Sequence, residues 1–412
     1  MIGTGVFTSL GFQLIEIQSI FPLLMLWIIG GVVALCGALT YSELGTALPR
    51  SGGEYHILSS TIHPSIGFAA GIVSATVGFT APAVLAAMAL GSYLSAVFPI
   101  LNQAYIACGV LAGLHFLHMS SIRWGLVFQD GLTGIKIGLI LIFIFFGFLV
   151  AQPQPLSILP IEGDLRIILS SNFAVSLVWV SYAYTGWNSA IYISGEIENP
   201  QKNISKAMII STSLVMFLYV LLNYIFLYTT PIDSMLGKVD VGYISGINIF
   251  GEIGAKIIGL GISILLLSTV SSYIYIGPRI IQIIGEDHKT LNFLKNKNKH
   301  DIPIIAFWLQ LCLSYIFIIT SSFEQVLMYA GIALIITTTL TVISLFLLRK
   351  NNPDLNRPYK VWGYPLPPLI YLFINIYILY YSFSASFFES SIGLGIFLFG
   401  IIIYQILTSI NK

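Results

Sequence analysis

The sequence predicts an all-α polytopic membrane protein. Only 8% of its 412 residues are charged, 57% are hydrophobic, and mean hydropathy is +0.91. A soluble domain carries about 25% charged residues, so this chain has too few to cover a water-facing surface. Its apolar residues also fall in runs of about 20 or more, the length a helix needs to cross hydrocarbon. Connectors rich in Pro, Gly, Asn and charge separate those runs.

In chain order, spans are expected near 21–47, 65–98, 101–119, 124–150, 171–193, 206–229, 251–284, 302–320, 323–348, 365–385 and 391–409, with residues 1–17 a partial span before them. "AQPQPLSILPIEGD" and "TTPIDSMLGKVD" read as loops on one side. "GEIENPQKNISK", "GEDHKTLNFLKNKNKHD" and "RKNNPDLNRPYKVWGYP" read as charged loops on the other. Counting Arg50, Arg123, Arg279 and Lys412, that second side holds 14 of the 18 lysines and arginines. Basic residues concentrate in cytoplasmic loops, so both termini are expected in the cytoplasm. "LNFLKNKNKH" reads as one such loop with a short interfacial helix, its charge diluted by asparagine.

Composition excludes several functions. A net charge of +1 argues against nucleic acid as a partner. Cys36, Cys108 and Cys312 lie far apart in apolar runs and read as packing residues. His115 and His118 are three apart near a span end with no third ligand beside them, which reads as interfacial. No HExxH or GxSxG motif supports an enzyme. No cofactor is implied.

Three stretches carry chemistry. Lys136, in "FQDGLTGIKIGLILIFIFFGF", stands 12 residues beyond Trp124, or about 18 Å along a helix at 1.5 Å per residue. A lysine at that depth costs about 2.5–3.5 kcal/mol on insertion scales, and such residues mark ion or proton routes. The structural alternative, a lysine bonded to carbonyls of a broken helix, is compatible with that role. Asp130 falls on another face, nearer the lysine-rich end, and reads as interfacial. In "WVSYAYTGWNSAIYISGEIENPQKN" an apolar helix is interrupted at Tyr182, Ala183, Tyr184, Thr185 and Gly186. Such a break is tolerated in lipid only where it lines a cavity or is buried in protein. An ordinary packing glycine is the alternative. "MIGTGVF" is a second glycine interruption, five spans earlier. Paired interruptions in two halves of a chain point to a transporter site. Half-helix N-termini suit a carboxylate and unwound carbonyls suit an ammonium. A zwitterionic amino acid offers both groups.

In "YSELGTALPRSGGEYH", Glu43 reads as a solvated helix end and Gly52-Gly53 as a flexible turn, with a gating role open.

Together "IGTGVF", "YSELGTALPRSGGEY", "GFTAPA", "SYAYTGWNSAIYISGEIENPQKNISKA", "GPRIIQIIGED" and "RPYKVWGYPLPP" resemble, in order and spacing, the amino acid–polyamine–organocation permeases. The closest similarity is to their L-type amino acid transporter branch and its bacterial relatives. The resemblance covers essentially the whole chain. It implies a LeuT-type fold in one domain over 1–409: an inverted repeat in 1–150, a second in 171–348, and two peripheral helices in 365–409. It implies that the amides of Gly3, Thr4 and Gly5 hold the substrate α-carboxylate. The Ile2 carbonyl and carbonyls near Tyr182, Ala183 and Thr185 would hold the α-amino group. Tyr182 would be an aromatic gate, and Tyr184 and Gly186 belong to the same unwound segment. Lys136 would occupy the place of a sodium ion in sodium-coupled relatives, which favours proton coupling or exchange.

The chain departs from the family twice. Ser268, Ser271 and Ser272 stand where L-type members often have Gly and Asn-Gly. The family also has a half-helix and a tail before the Gly-Thr-Gly, so the first span is expected to be truncated here, by a late start site or a true truncation.

The function expected is secondary amino acid transport by alternating access, in a bacterial inner membrane, coupled to protons or to exchange. An amine or polyamine exchanger, or a non-transporting sensor or remnant, is the alternative. No accessory subunit is evident.

Overall fold

The computed structural model describes residues 1–120, 122–150 and 152–410, with side chains except over 122–133 and at 196. Every described regular element is helical: α1 (Gly5–Glu16), α2 (Ile20–Ala47), α3 (Glu54–Thr61), α4 (Pro64–Val73), α5 (Thr80–Val97), α6 (Gln103–Ser120), α7 (Ile122–Gly147), α8 (Asp164–Ile168), α9 (Ser171–Ala183), α10 (Ser189–Tyr192), α11 (Pro200–Thr229), α12 (Ile232–Met235), α13 (Val241–Asp287), α14 (Ile304–Thr320), α15 (Phe323–Asn351), α16 (Leu366–Ala385) and α17 (Phe387–Ile410). In lipid each helix satisfies its own backbone polar groups, which is why apolar runs become helices. Among the described residues seven segments are long and apolar enough to span a membrane, and Gly134–Gly147 and Ile304–Thr320 are shorter apolar helices. Asp130 and Arg123 lie among side chains outside the described residues, and Lys412 lies outside them altogether.

Two spans are locally distorted. Between α4 and α5 the residues Ser74–Gly78 form a π-turn, closed by the Phe79 amide on the Ser74 carbonyl at 3.0 Å. Pro82 lacks the N–H that would reach the Gly78 carbonyl, so the regular ladder is interrupted there. In α13, Gly251 has φ 71°, ψ 177° and breaks the helix. The piece 241–250 is too short to read as a span, so the sequence places the start of this span ten residues late.

Three polar features differ from expectation. Glu43 is fully buried: Arg349 binds both its oxygens, at 2.8 and 2.6 Å, and the Val361 amide donates at 2.7 Å. Arg357 lies 3.4 Å away. It is a buried ion cluster joining α2, α15 and the connector 352–365, not a solvated helix end. His115 and His118 are also buried, against the Leu111 carbonyl and the Ser271 hydroxyl, each at 2.8 Å. They pack inside the bundle because α6 lies against α13 and α14. Cys36 is buried as expected, whereas Cys312 is exposed on the apolar face of α14.

At the end of the bundle away from the lysine-rich connectors, Phe12 stacks between Trp179 and Phe323, with ring centroids 4.5 and 5.9 Å away. Ser19 donates to Asp164 at 2.6 Å and Asn172 to Glu16 at 2.6 Å, tying the loops over the same end.

Candidate functional site

The two glycine interruptions meet. α1 begins at Gly5, and a Cβ on Gly5 would stand 2.4 Å from the Ala183 Cα. Only glycine permits that approach between the first span and the end of α9. Beyond Ala183 the chain turns through Tyr184–Asn188 before α10, and Gly186 takes φ +93°, a left-handed conformation. The Tyr182 carbonyl accepts both the Thr185 amide, at 2.9 Å, and its hydroxyl, at 2.7 Å.

A cavity of about 310 Å³ lies beside this junction, lined by Ile2, Gly3, Lys136, Gly186, Thr269 and Tyr273 among others. That volume is at the lower end for small-molecule sites, about 300–1,000 Å³. Lys136 is 6% exposed, and its ammonium donates to the Thr269 hydroxyl at 3.0 Å and the Ile2 carbonyl at 3.3 Å. It thereby clamps the first interruption to α13. Pro278 leaves one carbonyl of α13 without its helical donor, and next to it Gln310 donates to the Tyr273 carbonyl at 3.2 Å.

The amino acid permease family matches residues 1–407. The chain belongs to the amino acid permease family. It is a transporter of amino acids and not an enzyme. The permease is similar to the mouse "Large neutral amino acids transporter small subunit 2", with 27% identity over 98% of this chain and 77% of the relative. It is also similar to the mouse b(0,+)-type amino acid transporter 1, with 25% identity over 92% of this chain and 79% of the relative. The mouse Asc-type amino acid transporter 1 is 25% identical over 98% of this chain and 78% of its own length.

The permease distributes the residues expected at the site over three environments. Ile2, Gly3, Gly186 and Lys136 line the larger cavity. Thr4, Gly5 and Ala183 are buried in the contact between the two interruptions, and the Thr4 carbonyl accepts the Thr8 hydroxyl at 3.1 Å. Tyr182, Tyr184 and Thr185 face a smaller cavity of about 50 Å³ between the break, α2, α15 and α16. The Tyr184 hydroxyl donates to the Trp27 carbonyl at 3.0 Å, which anchors the break to α2. Sequence reasoning missed Thr269 and Tyr273. They follow one another at i, i+4 in "LLLSTVSSYIYIGPR", so one face of α13 carries both. Ser272 joins them at the cavity, while Ser268 and Ser271 are buried.

Proposed function

We propose that this permease moves amino acids by alternating access, coupled to protons or to exchange, with substrate held at the junction of the two interruptions. The observation that carries the reading is the clamp of Lys136 between the Ile2 carbonyl and Thr269, beside a cavity that both interruptions line. The amides of Gly3, Thr4 and Gly5 receive the α-carboxylate. The free lone pair of the Ile2 carbonyl and the carbonyls of the Tyr182–Gly186 segment receive the α-amino group. Lys136 takes the place that a sodium ion occupies in sodium-coupled relatives, its ammonium held by the Ile2 carbonyl and the Thr269 hydroxyl. Residues 1–150 and 171–348 act as the two five-span repeats, with 365–409 peripheral. The lysine-rich end faces the cytoplasm, with both termini there, in a bacterial inner membrane. The aromatic stack of Phe12, Trp179 and Phe323 is then the outer closure.

None of the described residues lining the larger cavity is acidic. A polyamine would need a carboxylate for its second cation, so amino acids are the better substrate class. The test is uptake and exchange of labelled amino acids in proteoliposomes. Saturable, counter-substrate-dependent flux is expected. Absence of saturable flux for every amino acid and amine overturns the reading.

A further inference from the structure

Glu54 opens α3, the connector helix between the spanning helices α2 and α4–α5, and its side chain is fully buried. One carboxyl oxygen, Oε1, accepts the Tyr41 hydroxyl of α2 at 2.9 Å and the Asn188 amide of the break at 2.9 Å. The other, Oε2, has no close partner among the described residues. The groups that act on Glu54 are Tyr41 from α2, Asn188 and Tyr192 from the break and α10, Thr337 from α15, and Tyr371 from α16. All are neutral; no lysine, arginine or histidine is among them. This contrasts with Glu43, which meets two arginines. A carboxylate without a counter-cation is too costly to bury, so such a group keeps its proton or binds a cation. Burial pushes the Glu54 carboxyl up to about 7, against the opposing hydrogen bonds.

The same contact is mechanically placed. The turn before Glu54 is docked on the half-helix after the break: the Gly52 amide donates to the Tyr192 carbonyl at 3.3 Å, and the Ser51 hydroxyl accepts the Gly195 amide at 2.9 Å. Tyr192 in turn meets Ser74 of the π-turn at 3.0 Å. Movement of the break during transport therefore has to open or re-form the hydrogen bonds of Glu54.

We propose that the buried Glu54 carboxyl is a proton-binding site that locks connector helix α3 to the break between α9 and α10 and ionises when that contact opens. In the locked state Oε2 carries the proton while Oε1 accepts from Tyr41 and Asn188. When the Asn188 hydrogen bond opens and water enters, the Oε2–H bond breaks, the proton passes to water, and no other covalent bond changes. The link to flux rests on the transport reading above; the proton binding itself does not.

The test pairs infrared difference spectroscopy with transport on the purified full chain in proteoliposomes. In the wild type a buried carboxylic acid band is expected to titrate near neutral pH and to be absent from Glu54→Gln. Wild-type flux is expected to change several-fold across the neutral range. Flux by Glu54→Gln, whose amide oxygen still accepts from Tyr41 and Asn188, is expected to be flat there. A band that persists in Glu54→Gln overturns the proposal, as does an unchanged pH profile of its flux. If Glu54→Gln does not fold, Glu54→Asp keeps a carboxyl on a shorter stem; a shifted band supports the assignment and an unshifted one overturns it. A wild type without flux at any pH sinks the transport reading, while the infrared titration still decides the proton site.

Discussion

Three buried charged or titratable residues take different roles according to the partners packed against them. Lys136 loses two hydrogen bonds on truncation, and bonds to a charged group contribute about 1.5–3 kcal/mol each. Lys136→Ala is expected to fold and to lose pH-dependent flux, while keeping the Glu54 carboxyl band; unchanged pH dependence of uptake removes the lysine from coupling. Glu43 is held by Arg349 and Arg357. Removing one partner of a buried ion cluster leaves uncompensated charge and costs about 3–5 kcal/mol. Glu43→Ala is expected to lower the thermal midpoint in detergent accordingly, and an unshifted melt counts against a structural role. Glu54 behaves in the opposite sense. Its carboxyl lies up at about 7 in the folded chain against 4.5 ordinarily. Below the lower value it is neutral in both states. Between the two the unfolded chain releases a proton that the folded chain keeps, so stability falls as pH rises, and it levels off above 7. Glu54→Gln is expected to lose that slope, as read from melts over pH. Of the three, only Lys136 was visible in the sequence as a charge in apolar surroundings; Glu43 read as a solvated helix end and Glu54 was not singled out. Their partners were not, because Arg349 is 306 positions from Glu43 and Asn188 is 134 from Glu54.

At the scale of elements, the breaks were legible and their contacts were not. Glycines marked both interruptions, Gly3 and Gly5 in the first and Gly186 in the second, and the structure adds that Gly5 is required by the Ala183 backbone. Gly5→Val is expected to force α1 away from α9 and abolish amino acid binding in an equilibrium binding assay; wild-type affinity in a folded Gly5→Val argues against the carboxylate site. Gly53 takes φ +56°, and a Cβ there would lie 2.4 Å from the Tyr192 ring. Gly53→Ala is expected to undock α3 from α10, at a cost of order 1–3 kcal/mol for the strained backbone alone. Limited proteolysis of the 48–63 connector reads that change, as faster cleavage than in the wild type. The π-turn is the element hardest to foresee. Pro82 and Gly78 in "GFTAPA" hint at a defect, yet the π geometry takes shape where Ser74 meets Tyr192, 118 residues away.

Across the whole molecule, charge asymmetry is the property that orients the chain. The sequence assigns 14 of 18 basic residues to one side, and the rule that such residues concentrate in cytoplasmic loops makes that side the cytoplasmic one in the proposed orientation. Single cysteines introduced in 48–63 or 352–365 are expected to react with an impermeant maleimide only in inside-out vesicles. Those in 152–163 are expected to react only in right-side-out vesicles. The reverse pattern would invert the proposed outer closure. The bundle also explains why His115 and His118 are buried. A span end that looks interfacial in isolation is covered once α14 packs across it.

By itself the sequence determined that this protein is helical and embedded in lipid, where most of its apolar helices fall, which loops are basic, and which family it resembles. Those properties follow from local quantities: the length of an apolar run, the place of a glycine, the sign of a loop. Only the tertiary structure decided which buried polar groups meet. Lys136 finds Ile2 and Thr269, Glu43 finds two arginines, and Glu54 finds hydroxyls and an amide but no cation. A buried charge is stabilised or neutralised by whatever the packing brings to it. That is set by helices far apart in the chain.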